Sequence, residues 1–332
     1  MTGPADPTVP GPGPVDPAGA AAVLRRARDV LVVGHVRPDA DAAGSALALA
    51  TALHRAGTPV TVSFGGPDPV PDGLLGTLDP DGLVVPSAEA PRTPDLLVCC
   101  DISSAPRLGD LEPVLRGAGS SLAVDHHASF TGFADRYLVD PGAPATVTLV
   151  RAVLAELGTP LDAVLARALF AGLYTDTGGF RRGGAGALRL GAALVDAGVD
   201  PGPLLRGIGG QVPFAWLAAQ ATVLAGARRE PGAAGGADLV WAAVDVATAT
   251  RFRDRTVTLL GPLQAAAGDG VAALLTETAP GAWSVSLRGN GSPDLSRVAT
   301  ALGGGGHTGA AGFERPGTLD GLLGLLRGEL AR

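Results

Sequence analysis

Along the first third of the chain, short apolar runs alternate with longer alanine- and leucine-rich stretches. Val30–Gly34, Leu96–Cys100 and Leu122–Val124 are apolar throughout, and Val60–Phe64 is β-prone, with Leu83–Val85 a shorter candidate. A strand that is apolar at every position, not at alternate ones, is covered on both faces, as in a parallel sheet. Between these runs lie stretches of helical composition, Ala18–Ala27 before the first strand and Ala42–Ala56, closed by Gly57, after it. Strands alternating with helices predict an α/β fold whose parallel sheet carries helices on both faces.

From Ala145 the pattern turns mostly helical, with helices expected over Ala145–Leu157, Leu161–Leu173, Ala187–Ala197 and Phe214–Arg229. The run Glu230-Pro-Gly-Ala-Ala-Gly-Gly-Ala reads as a linker. Beyond it, Leu239–Val244, Val271–Thr276 and Trp283–Leu287 read as strands, and Asp294–Leu302 and Leu319–Leu326 as helices. The expected organisation is a disordered Pro/Gly-rich tail over 1–17, an α/β domain over 18–205, a connecting helix and linker over 206–236, and a smaller α/β domain over 237–330. No internal repeat is apparent.

Composition narrows the class. With 332 residues, 46% of them hydrophobic, and a mean hydropathy of +0.29, the 50 glycines and 28 prolines punctuate folded elements and do not signal general disorder. All 25 basic residues are arginine, which reads as codon bias and carries no functional weight. A net charge of −7 argues against a broad basic face for long duplex nucleic acid, so a polyanionic substrate must be short. The longest near-apolar stretch, Ala42–Leu53, falls short of the roughly 18 residues of a membrane span, and the first residues lack the pattern of a signal peptide. A cytoplasmic location is expected. The neighbours Cys99 and Cys100 are too close for ordinary disulfide geometry and read as reduced thiols in a buried strand.

In an open α/β sheet, ligands bind beyond the carboxyl ends of the strands. There the first strand leads into Gly34-His35-Val36-Arg37-Pro38-Asp39-Ala40-Asp41, the fourth into Asp101, and the fifth into Asp125-His126-His127, while Asp176 follows an apolar helix. Each piece alone has a plain explanation: Asp41 as a helix cap, the histidine pair as a surface loop, Asp176 as a turn residue. Together they bring carboxylate and imidazole to one edge. Clustered carboxylates repel one another unless a cation compensates them, and oxygen and imidazole donors without thiolates suit Mn²⁺, Mg²⁺, Fe²⁺, Co²⁺ or Zn²⁺. Six candidate ligands favour two ions over one. His54, mid-helix, is assigned to a helix surface.

The second domain offers Arg288 at a strand end and then Gly303-Gly304-Gly305-Gly306-His307. Such a run reads either as a flexible loop or as a place where backbone amides approach an anion, with Arg288 and His307 as supplements. Neither a Walker motif, nor a Rossmann fingerprint, nor a G-x-S-x-G elbow is present.

At these residues the sequence resembles the DHH phosphoesterase superfamily, named for the Asp125-His126-His127 signature. GHVRPDAD, CCDISSAPRLGD, VDHH, YTDTGGF, SLRG and GGGGHTGAAGF match its motifs in order. The short chain, with a DHH-associated domain directly after the catalytic one, is most similar to the oligoribonuclease and pAp phosphatase (nanoRNase) branch. That resemblance implies two divalent cations, most simply Mn²⁺ with Mg²⁺ or Co²⁺ as alternatives. His35, Asp39 and Asp101 would hold one ion; Asp41, Asp101, His126 and Asp176 the other, with Asp101 as the bridge. Asp125 would orient a ligand histidine and His127 would face the scissile phosphate. Arg288, Gly304, Gly305, Gly306 and His307 would hold the far end of the nucleotide, in a cleft between the domains that measures substrate length.

The implied activity is hydrolysis of short single-stranded RNA and dinucleotides, including pApA from cyclic di-AMP breakdown, to mononucleotides, and of pAp to AMP and phosphate. The alternatives are an inorganic pyrophosphatase, which shares the metal motifs, and a nucleotide-binding regulator without catalysis. The resemblance also allows a homodimer. This chain departs from the family's usual pattern at Phe130, where an asparagine is common, and at Gly289, where a serine is.

Overall fold

Apolar runs become strands in the computed structural model, which describes residues 11–66, 70, 72–209 and 212–332. Among the described residues the first sheet has six strands: β1 Gly13–Pro14, β2 Val30–Gly34, β3 Val60–Phe64, β4 Leu96–Cys100, β5 Ser120–Asp125 and β6 Arg136–Val139. They run in the order β1-β6-β5-β4-β2-β3, every pair parallel. Alternate residues of β2 and β4 serve two cores, which is why both strands are apolar throughout. Val30, Val32, Leu96, Val98 and Cys100 pack under the helices Ala40–Arg55, Thr146–Glu156 and Ala163–Asp176. Leu31, Val33, Leu97 and Cys99 pack under the short helical turns between Ala105 and Gly117. Cys99 and Cys100 are buried free thiols on opposite faces of the sheet.

The chain divides into two compact units, Met1–Gln211 and Val212–Arg332. In the second, among the described residues, β7 Arg228–Ala234, β8 Ala237–Val244, β9 Val271–Ala279, β10 Ala282–Arg288, β11 Gly305–His307 and β12 Ala310–Pro316 form a mixed sheet in the order β11-β12-β10-β9-β8-β7. Only β8 and β9 pair in parallel, and the segment joining them contains the helices Val246–Arg251 and Leu260–Ala267, as a parallel crossover requires. Those helices bury Ala249, Leu260 and Leu263 on one face; Leu295–Ala301 and Leu319–Leu330 cover the other.

Three stretches differ from the reading of the sequence. Of the expected tail, residues 1–10 lie outside the described residues, and Gly13–Pro14 adds to the edge of the first sheet beside Arg136 and Tyr137. The presumed linker at Glu230 is most of β7, whose pairing with β8 is interrupted between Glu230 and Ala234. Pro231 and Gly232 fall in that irregular part, which is how a strand tolerates them. Glu230 is also tied by Arg327 (2.7 Å to each oxygen) and by Trp241 Nε1 (2.6 Å). The glycine run, finally, enters β11 instead of forming an open loop. A Cβ on Gly304 would lie 2.0 Å from the Gly312 carbonyl, and one on Gly306 would lie 2.6 Å from that of Ala310. These glycines let β11 close onto β12.

Candidate functional site

β5, β4 and β2 are neighbours in the sheet, and their register sets Gly34 level with Cys100 and Cys100 level with Val124. The residues that follow, His35, Asp101 and the Asp125-His126-His127 run, therefore emerge side by side at the carboxyl edge. Asp101 turns out of β4 with φ +61, a left-handed conformation that costs most side chains energy but that aspartate tolerates. Arg37 (φ +54) and Phe180 (φ +63) adopt it as well, each within a segment that supplies the site. Such strain persists only where surrounding contacts hold it.

His35 Nδ1 sits 2.8 Å from the Val36 carbonyl, so that nitrogen carries the proton and Nε2 is left to face Asp101 Oδ2 at 3.6 Å and Asp39 Oδ2 at 3.8 Å. Asp39, and not Asp41, is the N-cap of the helix Ala40–Arg55: its Oδ1 accepts from the amides of Asp41 and Ala42 at 3.0 Å each. Capping uses one oxygen and leaves Oδ2 for the site.

Asp41 lies in the first turn of that helix, fully buried, and faces a second group. His126 Nδ1 sits 3.1 Å from the Ala143 carbonyl, which turns Nε2 toward Asp176 Oδ2 (3.1 Å), Asp101 Oδ1 (3.7 Å) and Asp41 Oδ2 (3.9 Å). Asp176 is the last residue of the helix Ala163–Asp176, not a turn residue. All six sequence-predicted ligands, His35, Asp39, Asp41, Asp101, His126 and Asp176, thus converge, and Asp101 stands between two groups with a different oxygen toward each.

Asp125 differs from expectation in its partner. Its Oδ1 accepts from the His126 amide (2.9 Å) and from His127 Nδ1 (2.7 Å), so its carboxylate orients His127, whereas the ring of His126 is held by a backbone carbonyl. Asp125 Oδ2 is buried and has no hydrogen-bond partner among the described residues.

The electrostatics call for positive charge. Burial, then the charges of Asp101, Asp176 and Asp39, push the Asp41 carboxyl well above the usual range. Burial also raises Asp176, against the opposing hydrogen bond to His126. For His35, burial opposes the charged ring, but Asp101 and Asp39 outweigh it and lift the pKa to about 10; Asp176, Asp101 and Asp41 do the same for His126. Protons are being held where cations fit. His35, Asp39 and Asp101 offer ligand atoms within 4.8 Å of one another, as do Asp41, Asp101 and His126. Donors about 2.0–2.2 Å from one ion stand roughly 3.0–3.6 Å apart, close to the separations seen here. The donor set and the carbonyl-fixed imidazoles fit divalent ions.

Several site residues escape a reading of the sequence. Thr146 donates its hydroxyl to Asp101 Oδ1 at 2.7 Å, and the amides of Thr146 and Val147 hold the two oxygens of Asp41 at 2.7 and 3.0 Å. Gly44 and Gly172 bring the helices Ala40–Arg55 and Ala163–Asp176 together: a Cβ on Gly44 would lie 2.4 Å from the Ala168 carbonyl. The only signal was a glycine inside each alanine-rich helix. Arg182 donates to the Asp176 carbonyl at 2.6 Å.

In the second unit, Arg288 of β10 and His307 of β11 both pair with Ala310 of β12. Directly opposed residues share a face, so both side chains project from one side of the sheet across a small alanine. Ser284, Ser286 and Gly312 continue that face, while Trp283, Val285 and Leu287 point into the core. At Gly289 a Cβ would meet Leu295 Cδ1 at 3.3 Å, so a side chain there requires Leu295 to give by a few tenths of an ångström. In the first unit, Phe130 packs against Phe133 and Tyr137 with the rings tilted to one another. His54 is exposed. No helix among the described residues is long and apolar enough to cross a membrane.

Residues 29–173 match the model of the DHH family, N-terminal domain. Over 286 residues the chain is 29% identical to the bifunctional oligoribonuclease and PAP phosphatase NrnA of Thermus thermophilus, covering 85% of this chain and 83% of that protein. The crystal structure of an exopolyphosphatase-related protein from Bacteroides fragilis matches with a TM-score of 0.79 at 21% identity, covering 92% of this chain and 93% of the other. That likeness shows a shared fold.

Proposed function

We propose that this chain, whose residues 29–173 are a DHH-family N-terminal domain, is a metal-dependent phosphoesterase that hydrolyses short oligoribonucleotides to mononucleotides and pAp to AMP and phosphate. The observation that carries this reading is Asp101, with one oxygen toward His35 and Asp39 and the other toward His126. Similarity along 85% of the chain to a protein named for both activities supports the substrate class.

His35, Asp39 and Asp101 would hold one divalent cation, and Asp41, Asp101, His126 and Asp176 a second; the donors suit Mn²⁺ among other divalent ions, and the family resemblance implies Mn²⁺. Bound there, such ions supply activation of water at neutral pH and neutralise charge in an in-line displacement. The chain's own residues do the rest. Val36 and Ala143 carbonyls hold the Nδ1 protons of His35 and His126, so that Nε2 of each ring faces the carboxylates, where an ion would take the place of its proton. Asp125 holds His127 through Nδ1 and favours its charged form, and the ring's Nε2–H would donate a hydrogen bond or proton to the departing oxygen. For pAp, the bond from phosphorus to the ribose 3′ oxygen breaks, water oxygen joins phosphorus, and the ribose oxygen takes a proton.

On the second unit, Arg288 and His307 would grip the nucleotide away from the reacting phosphate. Arg288→Ala should then raise KM for pAp about tenfold or more with kcat near wild type, as for a charged hydrogen bond made equally in ground and transition states. Steady-state kinetics check this; a matching fall in kcat at constant KM would place Arg288 in the transition state instead.

The whole reading is tested by following products from pAp, pApA, RNA of two to six nucleotides, and pyrophosphate with Mn²⁺ supplied. Mononucleotides from the short RNAs and AMP plus phosphate from pAp are expected, with activity lost in EDTA and restored by Mn²⁺. Turnover of pyrophosphate alone, or binding of pAp without any turnover, would overturn it.

A further inference from the structure

We propose that Thr146 is a positioning residue whose hydroxyl locks the rotation of the Asp101 carboxylate, so that each oxygen stays with its own ligand group. The inference deepens the two-cation reading above and rests on it. Asp101 Oδ2 faces His35 Nε2 at 3.6 Å, and Oδ1 faces His126 Nε2 at 3.7 Å. A carboxylate can swing about its last bond and present either oxygen, or neither, to each side. Among the described residues the direct hydrogen bond to a side-chain hydroxyl that restrains Oδ1 is the one from Thr146, at 2.7 Å. Thr146 is itself fully buried and cannot turn to water.

The same residue fixes the neighbouring carboxylate. Ala145, the N-cap of the helix Thr146–Glu156, has no side chain able to cap it, and the amides of Thr146 and Val147 donate to Asp41 instead. A carboxylate at a helix N-terminus satisfies otherwise unpaired amides and is stabilised by the helix dipole. One helical turn thus holds Asp101 by a hydroxyl and Asp41 by two amides. Both are assigned to the second cation, and Asp101 also to the first. Serine, valine and alanine at position 146 all keep the backbone amide, so the hydroxyl's contribution can be isolated.

The test is equilibrium Mn²⁺ titration, read from the electron paramagnetic resonance of free Mn²⁺ and of the spin-coupled bound pair, on the full chain and on Thr146→Ser, Thr146→Val and Thr146→Ala. Loss of a hydrogen-bonding partner behind a metal ligand typically weakens affinity 10- to 100-fold. The valine and alanine variants should show that loss and a diminished coupled signal, with far-ultraviolet circular dichroism unchanged. Serine, which keeps the hydroxyl, should bind within about threefold of wild type. Should the valine variant fail to fold, alanine against serine makes the same comparison. The proposal is overturned if a folded variant without the hydroxyl binds two ions as tightly as wild type, or if serine is as weak as alanine. A wild-type chain that takes up no Mn²⁺ would sink the two-cation reading itself, an outcome visible before any variant is made.

Discussion

Replacing Asp101 with asparagine is expected to lower kcat on pAp and on RNA dinucleotides by about a thousandfold or more, on the order of 4 kcal/mol of barrier, while the chain stays folded. Asp101 is the one carboxylate shared by both ligand groups, and an amide presents a neutral oxygen to one side and an N–H donor to the other. The fold should survive for two reasons. Asparagine accepts the left-handed backbone at this position as readily as aspartate does. The side chain also keeps its shape, and its amide oxygen still accepts the Thr146 hydroxyl. Kinetics together with Mn²⁺ stoichiometry and a thermal melt check the expectation; hydrolysis at the wild-type rate would remove Asp101 from the bridging position.

Gly172→Ala should damage the site from outside the ligand set. The added Cβ would stand 2.7 Å from Asp41 Oδ1 and from Val147 Cγ1, and 2.9 Å from Asp41 Cα. Backbone at that distance cannot step aside cheaply, so overpacking should cost about 1–3 kcal/mol, or roughly 2–10 °C in Tm for a unit of this size. More informative is the direction of the push: Asp41 is displaced from the Thr146 and Val147 amides, and Mn²⁺ affinity should fall with Tm. Gly186→Ala is the control. No described residue lies within 4 Å of its Cβ, and it sits inside the helix Gly184–Asp196, where alanine is favoured over glycine by about 0.5–1 kcal/mol. A melt and a Mn²⁺ titration on both variants would separate helix propensity from collision, and equal behaviour of the two would remove the role of Gly172 as the point of close approach.

How much was legible depended on the range of the interactions involved. β2, β3 and β4 appear where their apolar and β-prone runs lie, because a strand covered on both faces needs little else to declare itself. β6 was missed: Arg136-Tyr137-Leu138-Val139 has neither strict alternation nor an apolar run, and it becomes a strand by lying beside β5. The linker reading at Glu230 and the flexible-loop alternative for the glycine run failed for the opposite reason. Local composition suggested linker and loop, and pairing partners further along the chain overrode it.

The chain alone specified which chemistry stands at the strand ends, since a motif such as Gly34–Asp41 follows its strand by covalent connection. Folding settled the finer question of which oxygen meets which nitrogen. Thr146 reaches Asp101 across 45 positions and Asp41 across 105, and Gly172 meets Asp41 through the packing of two helices. Contacts of that span leave no mark in local pattern, because each residue's own neighbours would tolerate several alternatives; only the packed partner excludes them.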